Sequence, residues 1–254
     1  MGSATGTYIN HNHYAGLLEM VLPLVLCLAL YHWQSAPRRK RSLSVRENLL
    51  HLGRPEILKC LLFVLTATLI FLAIAFSLSR MGMISTVLSV CIVAAVGYAG
   101  THRKAGPAIL VLSFLVLGTA GIVWVDIGPV VKHFEQLPQN EIVMQGGEGR
   151  SELWRDTLQL ITARPWTGVG LACFEFAFTR VQSIRLTFVA DHAHNDYLEL
   201  AAELGVPVAA LLISLFLWLA AKMLRASLRS RSRFGRAISL GSLGGVCALL
   251  FHSA

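Results

Sequence analysis

Charge is scarce in this chain. Only 14% of its 254 residues are Asp, Glu, Lys or Arg, whereas 55% are hydrophobic, and the mean hydropathy is +0.61. A water-soluble domain carries about a quarter charged residues, so an ordinary soluble protein is excluded. Paired cysteines are lacking as well. Of the five, Cys27, Cys60, Cys91 and Cys247 lie in or beside apolar runs and only Cys173 lies in a polar stretch, which excludes a disulfide framework and a paired-thiolate metal site. There is no HExxH, and residues 126–196 hold no closely spaced Asp-x-Asp pair to carry magnesium. The small-residue runs Ala94–Ala99 and Gly241–Gly245 sit inside apolar blocks, where they suit close helix packing and not a nucleotide loop. Residues 1–14 are polar and no cleavable signal peptide is evident.

What the chain has instead is long apolar blocks, near 15–33, 60–79, 82–100, 106–125, 197–221 and 237–253. At 1.5 Å per residue these reach, or nearly reach, across the roughly 30 Å hydrocarbon core of a bilayer. The expected fold class is all-α: a polytopic transmembrane bundle of about six spanning helices, one membrane domain over residues 1–254. One large loop, 126–196, carries short amphipathic helices. The net charge is +8, and Lys and Arg cluster in three places between blocks, Arg38–Lys59, Arg103–Lys104 and Lys222–Arg236. These fall on one side if the blocks alternate, and by the positive-inside rule that side is cytoplasmic. The basic loops are topology signals touching anionic membrane lipid. No aromatic interleaving or binding motif supports a nucleic-acid partner. Segment 126–196 and the turn at Ser79–Gly82 then face outward. Both chain ends, Met1-Gly2-Ser3-Ala4 and Phe251-His252-Ser253-Ala254, read as arbitrary cuts, so a piece of a longer protein is expected.

Individual residues stand out against this background. Glu19 is an acid about one turn inside the first block, either a functional intramembrane group or an interfacial side chain reaching water; Pro23 should bend the same helix. Arg80, in the short hairpin Ser79-Arg80-Met81-Gly82, either snorkels to headgroups or holds an anion. Residues 150–161 form an amphipathic helix with Ser151 as N-cap, Trp154, Leu158 and Ile161 on one face and Arg155, Asp156 and Gln159 on the other. This helix is expected to lie on the membrane surface. Phe174, Phe176 and Phe178 fit an extended segment dipping into the interface.

The densest polar cluster is Asp191-His192-Ala193-His194-Asn195-Asp196-Tyr197, with Asn195, Glu199 and Glu203 at i, i+4 and i+8 on one helix face. Three readings compete. His192 and His194 with Asp191 or Asp196 could be a metal site; the cluster could be a polar helix entrance; or one histidine is a general base while arginines hold an anionic leaving group. Outer-segment arginines Arg80, Arg150, Arg155, Arg164, Arg180 and Arg185 suit the last, because guanidinium forks pair bidentately with phosphate.

Segments 79–82, 150–178 and 192–208 resemble the O-antigen ligase and polymerase superfamily of bacterial membrane glycosyltransferases. Ser79-Arg80-Met81-Gly82 matches its Ser-Arg-small turn. Arg150, Trp154, Pro165, Gly168 and Gly170 match an Arg-x-x-x-Trp helix leading to Pro-x-x-Gly-x-Gly. His194, Asn195 and Gly205 match a His-Asn pair followed by glycine, and Asn10–Gly16, with His13, is similar to a segment of one branch. The resemblance implies His194 as the acceptor-activating base and Arg80 and Arg150 as diphosphate-binding arginines, these three being the catalytic set. Asn195, His192, Arg155, Trp154, Glu199 and His13 are the further candidates for substrate contact. It implies an inverting, metal-independent transfer without cofactor, from an undecaprenyl-diphosphate-linked glycan to a lipid A core sugar or a growing polysaccharide chain, at the periplasmic face of the bacterial inner membrane. Pro207 and Val208 depart from the family pattern, and the family has about ten to twelve spans. A transporter, with Glu19, Glu199 and Glu203 lining a path, or a non-catalytic subunit of a polysaccharide export complex are the competing functions.

Overall fold

The computed structural model describes residues 10–36, 53–99, 147–183 and 192–253. The apolar block 106–125, the basic loops Arg38–Arg46 and Arg103–Lys104, and the residues Arg185 and Asp191 lie outside these. Every described regular element is helical, as the blocked hydropathy requires: α1 His11–Ser35, α2 Pro55–Phe76, α3 Arg80–Ala99, α4 Gly147–Ala163, α5 Phe174–Phe178, α6 Asp196–Leu204, α7 Val206–Arg229 and α8 Arg233–His252. Five of them, α1, α2, α3, α7 and α8, are long and apolar enough to cross a membrane. The expected fifth span, 197–221, is corrected. Its first residues form the separate helix α6, which stops at Gly205, and the apolar helix begins at Val206. Pro207, in the first turn of α7, costs no hydrogen bond there because the first helical N–H groups have no partner within the helix.

The chain divides into two compact units, residues 1–130 with 220–252, and residues 131–219 with 253–254. In the first, α1 packs between α2, α3 and α8. Leu22, Val25, Leu26, Ala67, Ile74 and Val90 form one apolar cluster, and Cys27, Leu240 and Leu243 another. Glycine lets α8 approach α1 closely. A Cβ on Gly241 would stand 2.6 Å from Leu24 Cα, on Gly244 2.5 Å from Pro23 Cβ, and on Gly245 2.6 Å from Met20 O. Small residues at such contacts let dispersion hold helices together where lipid removes the hydrophobic drive. Along α2 the exposed face is Leu58, Leu61, Leu62, Leu65 and Leu69, an apolar stripe suited to acyl chains.

The α2–α3 turn comprises Ser77, Leu78 and Ser79, so Arg80 is the first residue of α3 and not part of the hairpin tip as expected. Leu78 has φ +60°, the Ser77 hydroxyl donates to Ile74 O (2.6 Å), and Ser79 Oγ accepts from Gly82 N (3.1 Å), capping α3. A Cβ on Gly82 would stand 2.7 Å from the Ala15 Cβ, which explains the small residue of the Ser-Arg-small turn.

The second unit has its own core: Leu153, Leu160, Ile161, Phe174, Phe178, Ala193 and Ala202. Helix α4 starts at Gly147, a turn earlier than a Ser151 cap would allow. Its buried face is Leu153, Asp156, Thr157, Leu160 and Ile161, whereas Leu158 is half exposed. The expected assignment of Leu158 and Asp156 to faces is therefore reversed. Asp156 can be buried because its carboxylate accepts from Ser183 N (2.7 Å) and from the Ser183 hydroxyl, which replaces the hydration it loses. The phenylalanines are not extended. They form the short helix α5, with Phe174 and Phe178 buried and stacked at 5.2 Å, one turn apart, and Phe176 outside.

Candidate functional site

Residues 192–195 precede α6 and are held from several directions. Asn195 caps α6: its side chain accepts from Leu198 N at 3.1 Å. Glu199, one turn on, returns over the loop. Its Oε2 accepts from Ala193 N (2.9 Å), and its Oε1 lies 2.8 Å from His192 Nδ1, which donates to it. From α4, the Trp154 indole N–H donates to Ala193 O at 3.1 Å. Both the N–H and the carbonyl of the buried Ala193 are thus fixed by side chains, one six residues on and one from α4. Between these anchors His194 adopts φ +52° with its side chain exposed. A left-handed non-glycine residue costs about 1–3 kcal/mol and persists where its surroundings over-determine it. Tyr197 is half-buried; burial, aided by the neighbouring Asp196 carboxylate, pushes its phenol up, so it stays a neutral hydroxyl at physiological pH.

The glycine motifs brace this loop. Val169 N donates to Ala202 O and Gly170 N to Glu203 O, both at 2.9 Å, and Val206 N donates to Pro165 O at 2.8 Å. The turn 165–170 is laid backbone to backbone on the end of α6. Gly168 (φ +64°) and Gly205 (φ +82°) have no room for a Cβ, which would stand 2.2 Å from Glu203 O and 2.5 Å from Trp166 O respectively. The Glu203 carboxylate, buried, accepts from Phe174 N (3.1 Å) and so caps α5. Glu199 and Glu203 both face protein, as expected for acids on that helix, but each is occupied in holding backbone.

Of the expected site residues, this unit gathers His192, His194, Asn195, Glu199 and Trp154. Arg155 lies on the exposed side of α4, one residue from Trp154. Arg150 belongs to α4 one turn before Trp154, and its side chain lies outside the described residues. Arg80 and His13 belong to the other unit. His13 is exposed in the first turn of α1, which Asn10 caps by accepting from Asn12 N (2.8 Å). Arg80 is half-buried at the head of α3. Among the described residues, no three His, Cys, Asp or Glu side chains converge as metal ligands.

Glu19 is fully buried in the first unit, so the interfacial reading of this acid is corrected. Ser85 of α3 donates to its Oε2, and His252, the last residue of α8, places Nδ1 2.9 Å from its Oε1. An acid inside a span is costly unless it meets polar groups of the protein, and here the Ser85 hydroxyl and the neighbouring His252 ring supply them. Sequence reading singled out Glu19 but missed Ser85 and His252 as its partners. The available signal was the rule that a buried intramembrane acid must be matched by polar groups on neighbouring spans.

The sequence matches the family model described as O-antigen ligase over residues 65–213. That stretch contains the α2–α3 turn, all of α4 to α6 and the His194 loop. No curated protein matches the chain significantly.

Proposed function

Since the chain belongs to the O-antigen ligase family, we propose that it moves a glycan from an undecaprenyl-diphosphate carrier to an acceptor hydroxyl on the periplasmic face of the inner membrane. The acceptor is a lipid A core sugar or the end of a growing polysaccharide. The observation that carries the reading is the strained and braced conformation of His194, a titratable group held exposed between a backbone clamp and a helix cap. Strained residues held by firmly tied flanks cluster at functional sites, which supports a catalytic role for this exposed histidine.

In this reading the acceptor oxygen attacks the anomeric carbon from the face opposite the diphosphate, and the bond from that carbon to the diphosphate oxygen breaks with inversion. His194 takes the acceptor proton. Charge growing on the departing diphosphate is met by guanidinium groups, with Arg80 and Arg150 first among them. Arg150 stands one turn before the tryptophan that clamps the histidine loop, a position that suits this role. His192, Asn195, Arg155, Trp154, Glu199 and His13 are then candidates for shaping or contacting the substrates. Cation-based stabilisation needs neither metal nor cofactor.

Transfer from a lipid-linked glycan donor, assayed with the full chain in proteoliposomes, is the test. His194→Ala and Arg150→Ala are each expected to abolish product with membrane insertion intact, and EDTA to leave the wild type active. Transfer retained in both variants would remove the mechanism. Activity lost in EDTA and restored by zinc would replace it with metal chemistry.

A further inference from the structure

At the basic end of the first unit, where α1, α3 and α7 finish and α8 starts, a cleft opens between the helices. Gln34, Tyr31 and Cys27 line it along α1, and Arg233, Arg236 and Leu240 along α8. At 1.5 Å per residue, each of these rows covers about 10 Å of span. The mouth of the cleft is therefore polar and cationic, and its floor is apolar.

The mouth is built from contacts between helices. The Tyr31 ring meets Phe234 edge to face, centroids 5.5 Å apart. Arg236 Nη2 donates to Ser230 O at 3.0 Å. Arg233 makes one long hydrogen bond, from Nη1 to Gln34 O at 3.5 Å, and a guanidinium has five N–H donors. Negative charge is missing from this place. No Asp or Glu lines the cleft, and none occurs in the sequence after Glu203. Among the described residues Arg233 pairs with no carboxylate.

The depth of the cleft is marked by Trp33 on α1 and Phe234 on α8, both exposed. Aromatic rings of spanning helices gather at headgroup level, so the arginines stand at the height of lipid phosphates and the floor at the height of acyl chains. A free phosphate has no use for the apolar floor, and an uncharged lipid has none for the arginines. A ligand with an anionic head and a hydrocarbon tail satisfies both, and basic pockets between spans hold such headgroups.

We propose that this cleft binds one anionic phospholipid, its phosphate paired with Arg233 and Arg236 and an acyl chain lying toward Leu240. The site takes no part in the glycan-transfer chemistry and does not rest on that reading.

The test titrates the purified full chain in dodecyl maltoside with phosphatidylglycerol or phosphatidylcholine of the same acyl chains, read by native mass spectrometry and by thermal unfolding. Phosphatidylglycerol is expected to bind about tenfold more tightly, the size of one charge-assisted hydrogen bond, and to raise the unfolding midpoint. Arg233→Gln loses that preference and binds phosphatidylcholine as before. Arg233→Lys, which keeps the charge without the fork, recovers part of it. Arg231→Gln removes the same charge from an exposed residue outside the cleft and changes the affinity less than about twofold, as a screened surface charge should. Should Arg233→Gln fail to fold, Gln34→Glu, which sets a carboxylate at the mouth, takes its place with the same expectation.

Equal losses in Arg231→Gln and Arg233→Gln would mean diffuse attraction to the basic segment and overturn the proposal. So would equal affinity for the two lipids, which leaves only an apolar groove. Glycerol phosphate, a headgroup without chains, is expected to leave the midpoint unchanged; protection by it equal to that of phosphatidylglycerol makes the occupant a free phosphate and overturns the lipid assignment.

Discussion

Gly168 and Glu203 touch backbone to backbone: a methyl group on Gly168 would stand 2.2 Å from the Glu203 carbonyl oxygen, closer than any real contact. The clash is with main chain, which cannot swing aside, and Gly168 also has φ +64°. Glu203 sits on the same short helix as Glu199, so the position of the histidine loop depends on a glycine more than twenty residues away.

Gly168→Ala is expected to destabilise the protein by about 2–5 kcal/mol, combining left-handed strain with overpacking. Gly170→Ala shares the positive-φ strain (φ +110°) but not the main-chain clash, since its Cβ would meet the Cys173 side chain at 3.3 Å, so it is expected to cost less by the overpacking alone. Thermal unfolding in detergent compares the two, and equal midpoints would refute the backbone contact.

Glu199→Gln keeps the size of the side chain but cannot accept from both Ala193 N and His192. Trp154→Phe keeps the ring and removes the donor to Ala193 O. Each is expected to reduce kcat about ten- to a hundredfold, the cost of about 1–3 kcal/mol for an unpaired buried group, with little change in membrane insertion. Wild-type turnover in both would show that the clamp is irrelevant to His194.

Gly244→Ala places a Cβ 2.5 Å from Pro23 and 2.6 Å from Val93, and is expected to cost about 1–3 kcal/mol. Gly97→Ala, whose Cβ would meet Leu240 at 3.4 Å, is expected to be neutral or to gain up to about 1 kcal/mol from helix propensity. The two midpoints in a detergent melt should move in opposite directions or by clearly different amounts.

Cys173 is an exposed thiol of the second unit, while Cys27 and Cys60 are buried and Cys91 lies in a span. A membrane-impermeant maleimide added to cells with an intact inner membrane is expected to label the protein, and Cys173→Ser to remove the label. Labelling only after the inner membrane is permeabilised would put the histidine loop on the cytoplasmic side and end the proposed chemistry.

The helical membrane architecture was readable from the sequence because bilayer thickness imposes its length on apolar runs, and no side-chain contact is needed to see it. The motif residues were readable too, as an order and spacing: Arg150, Trp154, Gly168, His194 and Gly205. Their jobs were not. Phenylalanine alternation at 174, 176 and 178 looks the same for a strand and for a short helix with i and i+4 buried, and the structure chose the helix through the Glu203 cap. Asp156 read as a surface acid because burial of a carboxylate depends on Ser183, which sequence does not place beside it. The break at Gly205 was hidden because helical residues flank it on both sides, and a glycine inside a helical pattern marks a stop only when the backbone contact that needs it, here with Trp166, is known.

Composition and spacing alone determined that this chain is a helical membrane protein with its polar chemistry concentrated near residues 150–205, since hydropathy and periodicity are local properties. Only the tertiary structure decided that Glu199 and Trp154 clamp Ala193, that glycines mark backbone contacts, and that Glu19 is met by Ser85 and His252. Most of these pairings join residues far apart in sequence, and the partner of a buried polar group is set by packing, which no local pattern encodes.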